Sequence, residues 1–135
     1  MSLSRELRKH QEPFIEIGQY IYKCRVNRKM SLQILSVRLG VNPSYLREVE
    51  RGERVPDDKF IRSLTENCGL DENYIFSCLG KAPLIAREEL DQYALLQDTL
   101  KEMGMSALSE QEKEEIYQNF NSIVKTALLN PNQVL

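Results

Sequence analysis

The stretch Arg38–Glu53, RLGVNPSYLREVERGE, decides how this chain folds. It reads as a tight turn, a short helix and a second turn. Gly40 can take the positive φ that ends a preceding helix. Asn42 can cap the next helix, and Pro43 suits its first turn. Just upstream, Ser31–Val37 (SLQILSV) supplies the preceding helix. Apolar residues fall at Leu35, Leu39, Val41, Leu46 and Val49, and the small Ser36 stands where two helices must cross closely. Two short helices at a steep angle, joined by a turn of about three or four residues, need this arrangement.

Working outward, Pro13 is placed to open a helix running from Phe14 to about Asn27, with Phe14, Ile17, Ile21 and Cys24 on its inner face. Before it, Leu3–Gln11 alternates charges with Leu3 and Leu7 and reads as a short, loosely held helix. Downstream, Gly52 sits just past the second short helix. Pro56, Asp57 and Asp58 mark a fresh start. Phe60, Ile61 and Leu64 form the inner face of that helix, Gly69 follows its end, and Asp71 caps a short fifth helix holding Tyr74, Ile75 and Leu79.

Gly80–Pro83 (GKAP) reads as a hinge. Beyond it come two longer helical patterns. In the first, Leu90, Tyr93, Leu96 (or Gln97), Leu100 and Met103 recur at helical spacing, and Gly104 is expected to break it. Ser109–Glu112 (SEQE) is a capping box opening the second. That helix carries Ile116, Phe120, Ile123 and Ala127, and Asn130–Asn132 (NPN) stops it. No strand-like alternation, internal repeat or low-complexity tract interrupts the pattern.

Taken together, MSLQILSVRLGVNPSYLREVERGERVP (Met30–Pro56) and LTENCGLDENYIF (Leu64–Phe76) carry a resemblance. The segment from about Ile17 to Leu79 resembles the Xre family, the Cro and lambda-repressor-like DNA-binding domains. The resemblance covers roughly half the chain. It implies a five-helix lambda-repressor-like helix-turn-helix domain over residues 1–80 (core about 14–79). The helical patterns beyond it read as a C-terminal two-helix hairpin over residues 81–135, so the expected fold is all-α. The chain departs from the family at the start of the second helix. The Xre pattern places glutamine directly after the Ser/Thr cap, where this chain has Leu32; Gln33 lies one residue, about 100° of helix, further round. Ile34 stands where the family has an acidic surface residue. It reads either as a lone exposed apolar residue or as an extra packing surface.

Composition limits the function classes. The chain has 135 residues, 41% hydrophobic and 28% charged, the profile of an ordinary globular protein. No apolar run reaches the roughly 20 residues of a membrane span, and the N-terminal MSLSRELRKH lacks the apolar stretch of a secretory signal. The expectation is a cytoplasmic protein without membrane contact. Cys24, Cys68 and Cys78 are odd in number, without CxxC spacing, and read as structural thiols rather than a metal or redox set. His10 reads as a solvated residue. No phosphate loop, metal-ligand spacing or nucleophile–base pair is present, so neither a cofactor nor an enzymatic activity is expected. The net charge of −2 is unevenly placed. Residues 1–80 hold 13 Lys/Arg and 11 Asp/Glu, whereas residues 81–135 hold 5 and 9. Arg25, Arg28, Lys29, Arg38, Arg47, Arg51 and Arg54 gather around the helix-turn-helix, a modest electrostatic footprint.

In such a motif the early residues of the second short helix meet base edges of double-stranded DNA. Pro43, Ser44, Arg47 and Glu48 are the base-contact candidates. Arg47 can donate twice to guanine, Glu48 can accept from cytosine N4, and Ser44 can serve either base. Arg47 reads equally as a phosphate contact, and Glu48 as an intrahelical partner of Ser44 or Arg51. Gln33, Arg38, Tyr45, Arg51 and Arg54 are the phosphate-contact candidates, which set register without reading sequence. The resemblance also pairs Arg25, late in the first helix, with Glu50 at the end of the third, as a structural tie.

A helical hairpin of about 45 residues has little core of its own. Its stripes, with Leu90, Tyr93, Leu96, Leu100, Ile116, Phe120 and Ile123 as oligomerisation candidates, are expected to pack on the N-terminal domain, on a second copy, or on both. The resulting expectation is a sequence-specific transcriptional regulator, a repressor acting as a homodimer, because one recognition helix reads too few base pairs. The alternative is a protein-interaction module of antitoxin or phage-regulator type on the same scaffold, with a protein or peptide partner at the hairpin.

Overall fold

The computed structural model describes residues 2–130 and 132, with side chains from Glu12 onward. The expectations for Leu3, Leu7 and His10 concern side chains outside those described. The described residues form eight α-helices and no strand: α1 Ser2–Asn27, α2 Leu32–Leu39, α3 Pro43–Glu50, α4 Asp58–Cys68, α5 Glu72–Cys78, α6 Leu84–Gln92, α7 Ala94–Met105 and α8 Glu110–Leu129. They divide into two compact units, one ending at Glu88 and the other beginning at Glu89.

In the first unit the helix ends follow local chemistry. Ser31 Oγ accepts the Ile34 N–H, Asn42 Oδ1 that of Ser44, Asp57 Oδ1 that of Phe60, and Asp71 Oδ1 that of Asn73. Each satisfies a donor that the first helical turn leaves open. Gly40 closes α2 at φ 67° and sends its N–H back into the helix. Its left-handed backbone is what turns the chain sharply into α3.

These turns bring one apolar face of each helix inward. Ile17 and Ile21 of α1, Leu35 of α2, Leu46 and Val49 of α3, Ile61 and Leu64 of α4, and Ile75 and Phe76 of α5 are all essentially inaccessible. Each such side chain contributes about 1.5–3 kcal/mol. Leu39 and Val41, at the α2–α3 turn, pack against this core while staying partly exposed. Ser36 is fully buried, and its hydroxyl donates to the Gln33 carbonyl at 2.9 Å. That bond within its own helix lets a polar side chain sit at a helix crossing. Cys68 is buried, which pushes its thiol pKa up, and Cys24, Cys68 and Cys78 are all unbridged.

One helix expected to start at Pro13 does not. α1 runs unbroken from Ser2 through Pro13 to Asn27. Proline's φ is that of a helix, so the ring removes one hydrogen bond, to Lys9, without forcing a boundary.

The second unit also differs from its expected outline. The helical pattern through Leu90 and Met103 is cut at Tyr93, which is extended at φ −115° and ψ 109°. The Gln97 side-chain amide donates to the Leu90 and Asp91 carbonyls at 2.9 and 3.0 Å. It takes the place of backbone donors at the end of α6, so a side chain ends the helix where no glycine or proline signals it. Gly104 does not break α7, which continues to Met105 and ends at Ser106. Ser109 accepts the Glu112 N–H at 3.1 Å and starts α8. No residue of α6, α7 or α8 is buried.

Candidate nucleic-acid interface

α3 is only two turns long, and its orientation comes from neighbours on both sides. Leu46 and Val49 anchor its inner face in the core. On one flank α1 packs directly on its backbone. Gly18 is buried, and a Cβ there would lie 2.6 Å from the Val49 carbonyl oxygen and closer still to that of Glu50. Only glycine allows the two backbones this approach. Sequence reading passed over Gly18; a glycine inside an otherwise regular helical pattern was the available signal.

Arg25 and Glu50 reinforce the same contact. Arg25 Nε and Nη2 donate to the two Glu50 carboxylate oxygens at 2.8 and 2.9 Å, and Nη1 donates to the Met30 carbonyl at 2.9 Å. The side chains are only 13% and 7% exposed, so this forked pair is largely shielded. The bond to Glu50 raises the Arg25 pKa further above its ordinary value. The pair ties the end of α1 to the end of α3 and to the loop opening α2.

On the other flank, Tyr45 stands edge-on to Phe60 of α4, centroids 5.2 Å apart. Burial, helped by Asp57, pushes the Tyr45 pKa up, so it stays a neutral phenol. Gly52, at φ 73°, reverses the chain after α3, and the Glu53 N–H returns to the Glu48 carbonyl at 2.9 Å. This turn carries Arg54 back onto α3. There its guanidinium lies 5.3 Å from the Tyr45 ring centre, and its Nε donates to Glu48 Oε2 at 2.6 Å. Glu48 is therefore paired with Arg54, not with Ser44 of its own helix or with Arg51 at that helix's end.

The outward face of α3 presents exposed Ser44, Arg47 and Arg51, with Pro43 and Glu48 half-buried beside them. Among the described residues no acid pairs with Arg38, Arg47 or Arg51. At the start of α2, Leu32 turns toward the core, while Gln33 is exposed. Gln33 and Arg38 border a shallow depression floored by Ile34 and Val37. Both of these are open to solvent, Val37 at 79%. Sequence reading singled out Ile34 and overlooked Val37.

Residues 21–75 match the helix-turn-helix family. Over those residues the chain is similar to Xre-like helix-turn-helix domains. Solved structures align with the chain, two of them over nearly all of their own length. One is the restriction-modification controller protein C.AhdI from Aeromonas hydrophila, 25% identical, covering 47% of this chain and 96% of that one, with a TM-score of 0.44. The other is the SinR protein/SinI protein complex, 21% identical, covering 78% of this chain and 97% of that one, with a TM-score of 0.41. No curated protein matches the chain. The match spans α2 and α3, the pair of short helices joined by the turn at Gly40.

The oligomerisation candidates lie in the second unit. Tyr93, Leu100, Ile116, Phe120 and Ile123 are exposed, and Leu90 and Leu96 are half-buried. α8 is divided along its length. Glu110, Glu112, Glu114 and Glu115 crowd its beginning, and Ile116, Phe120, Ile123 and Leu128 follow. Among the described residues no cluster of metal-ligating side chains occurs, and no helix is long and apolar enough to cross a membrane.

Proposed function

We propose that this protein is a transcriptional regulator that binds double-stranded DNA as a homodimer and represses by occupying its site. The observation that carries this reading is the outward face of α3: a capped helix, fixed from both flanks, presenting Ser44 and Arg47 beside Arg38 and Arg51, which no acid pairs among the described residues. Pro43, Ser44 and Arg47 stand at the early recognition positions, where a side chain meets base edges. Arg47 supplies a bidentate donor pair for a guanine. Gln33, Arg38 and Arg51 stand around it as phosphate contacts that fix register.

The second unit supports the dimer. None of its described residues is buried, yet α7 and α8 carry a run of large apolar side chains. Covering those stripes with the same stripes of a second copy would bury them and join two recognition helices. A protein or peptide partner would exploit the same exposed stripes. Selection of bound duplexes from a random library tests the reading. A palindromic motif with fixed half-site spacing is expected, and enrichment of no duplex would overturn it.

A further inference from the structure

The Glu48–Arg54 pair lies on the face of α3 that the proposed function turns toward DNA, and a carboxylate is an odd group to place there. Alone it would be repelled by two strands of phosphate. The structure removes that objection. Arg54 lies against the carboxylate and is itself held by Tyr45, whose ring rests on Phe60, only 4% exposed. A line of contacts thus runs from the core to Glu48. It engages one carboxylate oxygen only: Oε2 takes the Arg54 Nε–H, and Oε1 has no donor among the described residues. The Glu48 side chain is 38% exposed, so the carboxylate is not sealed off by its pairing with Arg54.

We propose that Glu48 is a specificity-determining residue that accepts the N4 amino group of a cytosine on Oε1, with Arg54 as the positioning residue that fixes and neutralises its carboxylate. The inference rests on the reading of α3 as a recognition helix. Cytosine is the base that presents a lone amino donor in the major groove, which suits a single free carboxylate oxygen. Adenine places an acceptor, N7, beside its amino group, and guanine offers only acceptors, so a fixed carboxylate disfavours both. Arg54 thereby has a role different from the phosphate anchor its charge alone suggests.

The test is duplex selection from a random library, followed by binding titrations, for the full chain and for Glu48→Ala, Glu48→Gln and Arg54→Ala. Melting curves check that each variant is folded. The wild type should require a C·G pair at one position per half-site, by about 5- to 150-fold over other pairs. Glu48→Ala should flatten that position alone, and Glu48→Gln should move its preference toward adenine. Arg54→Ala should weaken binding and also blunt the cytosine preference. A Glu48→Ala motif identical to wild type would overturn the assignment of Glu48. A uniform loss with Arg54→Ala, cytosine preference intact, would make Arg54 a phosphate contact and overturn the positioning role. If the wild type selects no duplex at all, the reading of the whole domain falls instead.

Discussion

Replacing Gly18 with alanine sets two effects of opposite sign against each other. Gly18 lies inside α1, where alanine is favoured over glycine by about 1 kcal/mol. On an isolated helix the substitution would stabilise. Here the new methyl would meet backbone on α3: the Glu50 carbonyl oxygen, the Val49 carbonyl oxygen at 2.6 Å and the Glu50 carbonyl carbon at 2.7 Å. Backbone cannot rotate out of the way as a side chain can. To restore ordinary contact distances, α1 must back away from α3 by about 1 Å. That shift loosens Ile17 and Ile21 against Leu46 and Val49 and stretches the Arg25–Glu50 fork. Overpacking of this kind costs about 1–3 kcal/mol, occasionally more, and it offsets the gain in helix propensity. A net loss of up to about 2 kcal/mol in a domain of this size lowers Tm by up to roughly 15 °C. Thermal melting followed by circular dichroism reads it directly. A Gly18→Ala protein that melts at or above the wild-type temperature would show that propensity wins and that the backbones do not approach this closely.

Four further outcomes follow from the structure. Arg25→Ala should cost about 3–5 kcal/mol, because it leaves the shielded Glu50 carboxylate without its partner. Arg28→Ala, at an exposed position, should stay within about 0.5 kcal/mol; equal melting temperatures for the two would exclude a stabilising fork. Asp58 takes hydrogen bonds from Arg87 and Lys81, which hold its carboxyl below the usual range. Its contribution should therefore be complete above pH of about 4 and fade as pH falls through the lowered folded value. The Tm gap between wild type and Asp58→Asn should shrink in acid, and a gap constant from pH 7 to about 2.5 would refute the linkage. In DNA titrations, Arg47→Ala should relax preference at one base position, whereas Arg51→Ala should weaken all sequences about equally and reduce the salt slope by about one; matching, sequence-independent losses would remove Arg47 from base readout. Truncation after Glu88, where the first unit ends, should give a folded protein that is mostly monomeric in light scattering and binds DNA more weakly, since two half-sites are no longer joined. A truncated chain that stays dimeric at the same concentration would place the interface in the first unit.

What the sequence determined by itself was local and periodic. Asn42, Asp57, Asp71 and Ser109 cap helices because a short polar side chain satisfies an open backbone donor wherever it stands. Gly40, Gly52 and Gly69 take positive φ because a side chain there would be strained. The spacing of Leu35, Leu46, Val49, Ile61 and Leu64 marks inner faces before any contact is known. With the turn between α2 and α3, those features were enough to indicate an all-α chain with a helix-turn-helix. Tertiary structure decided what depends on distant partners. Pro13 and Gly104 read as breaks, yet a proline or glycine only lowers the local preference for a helix, and both helices continue. Tyr93 read as a stripe residue, and the helix ends there because a side chain four residues on captures its carbonyls. Gly18 matters only because α3 crosses it, and Glu48 faces Arg54 only because Gly52 folds the chain back. Such pairings are set by where the backbone turns in space, and no period or cap in the sequence records them.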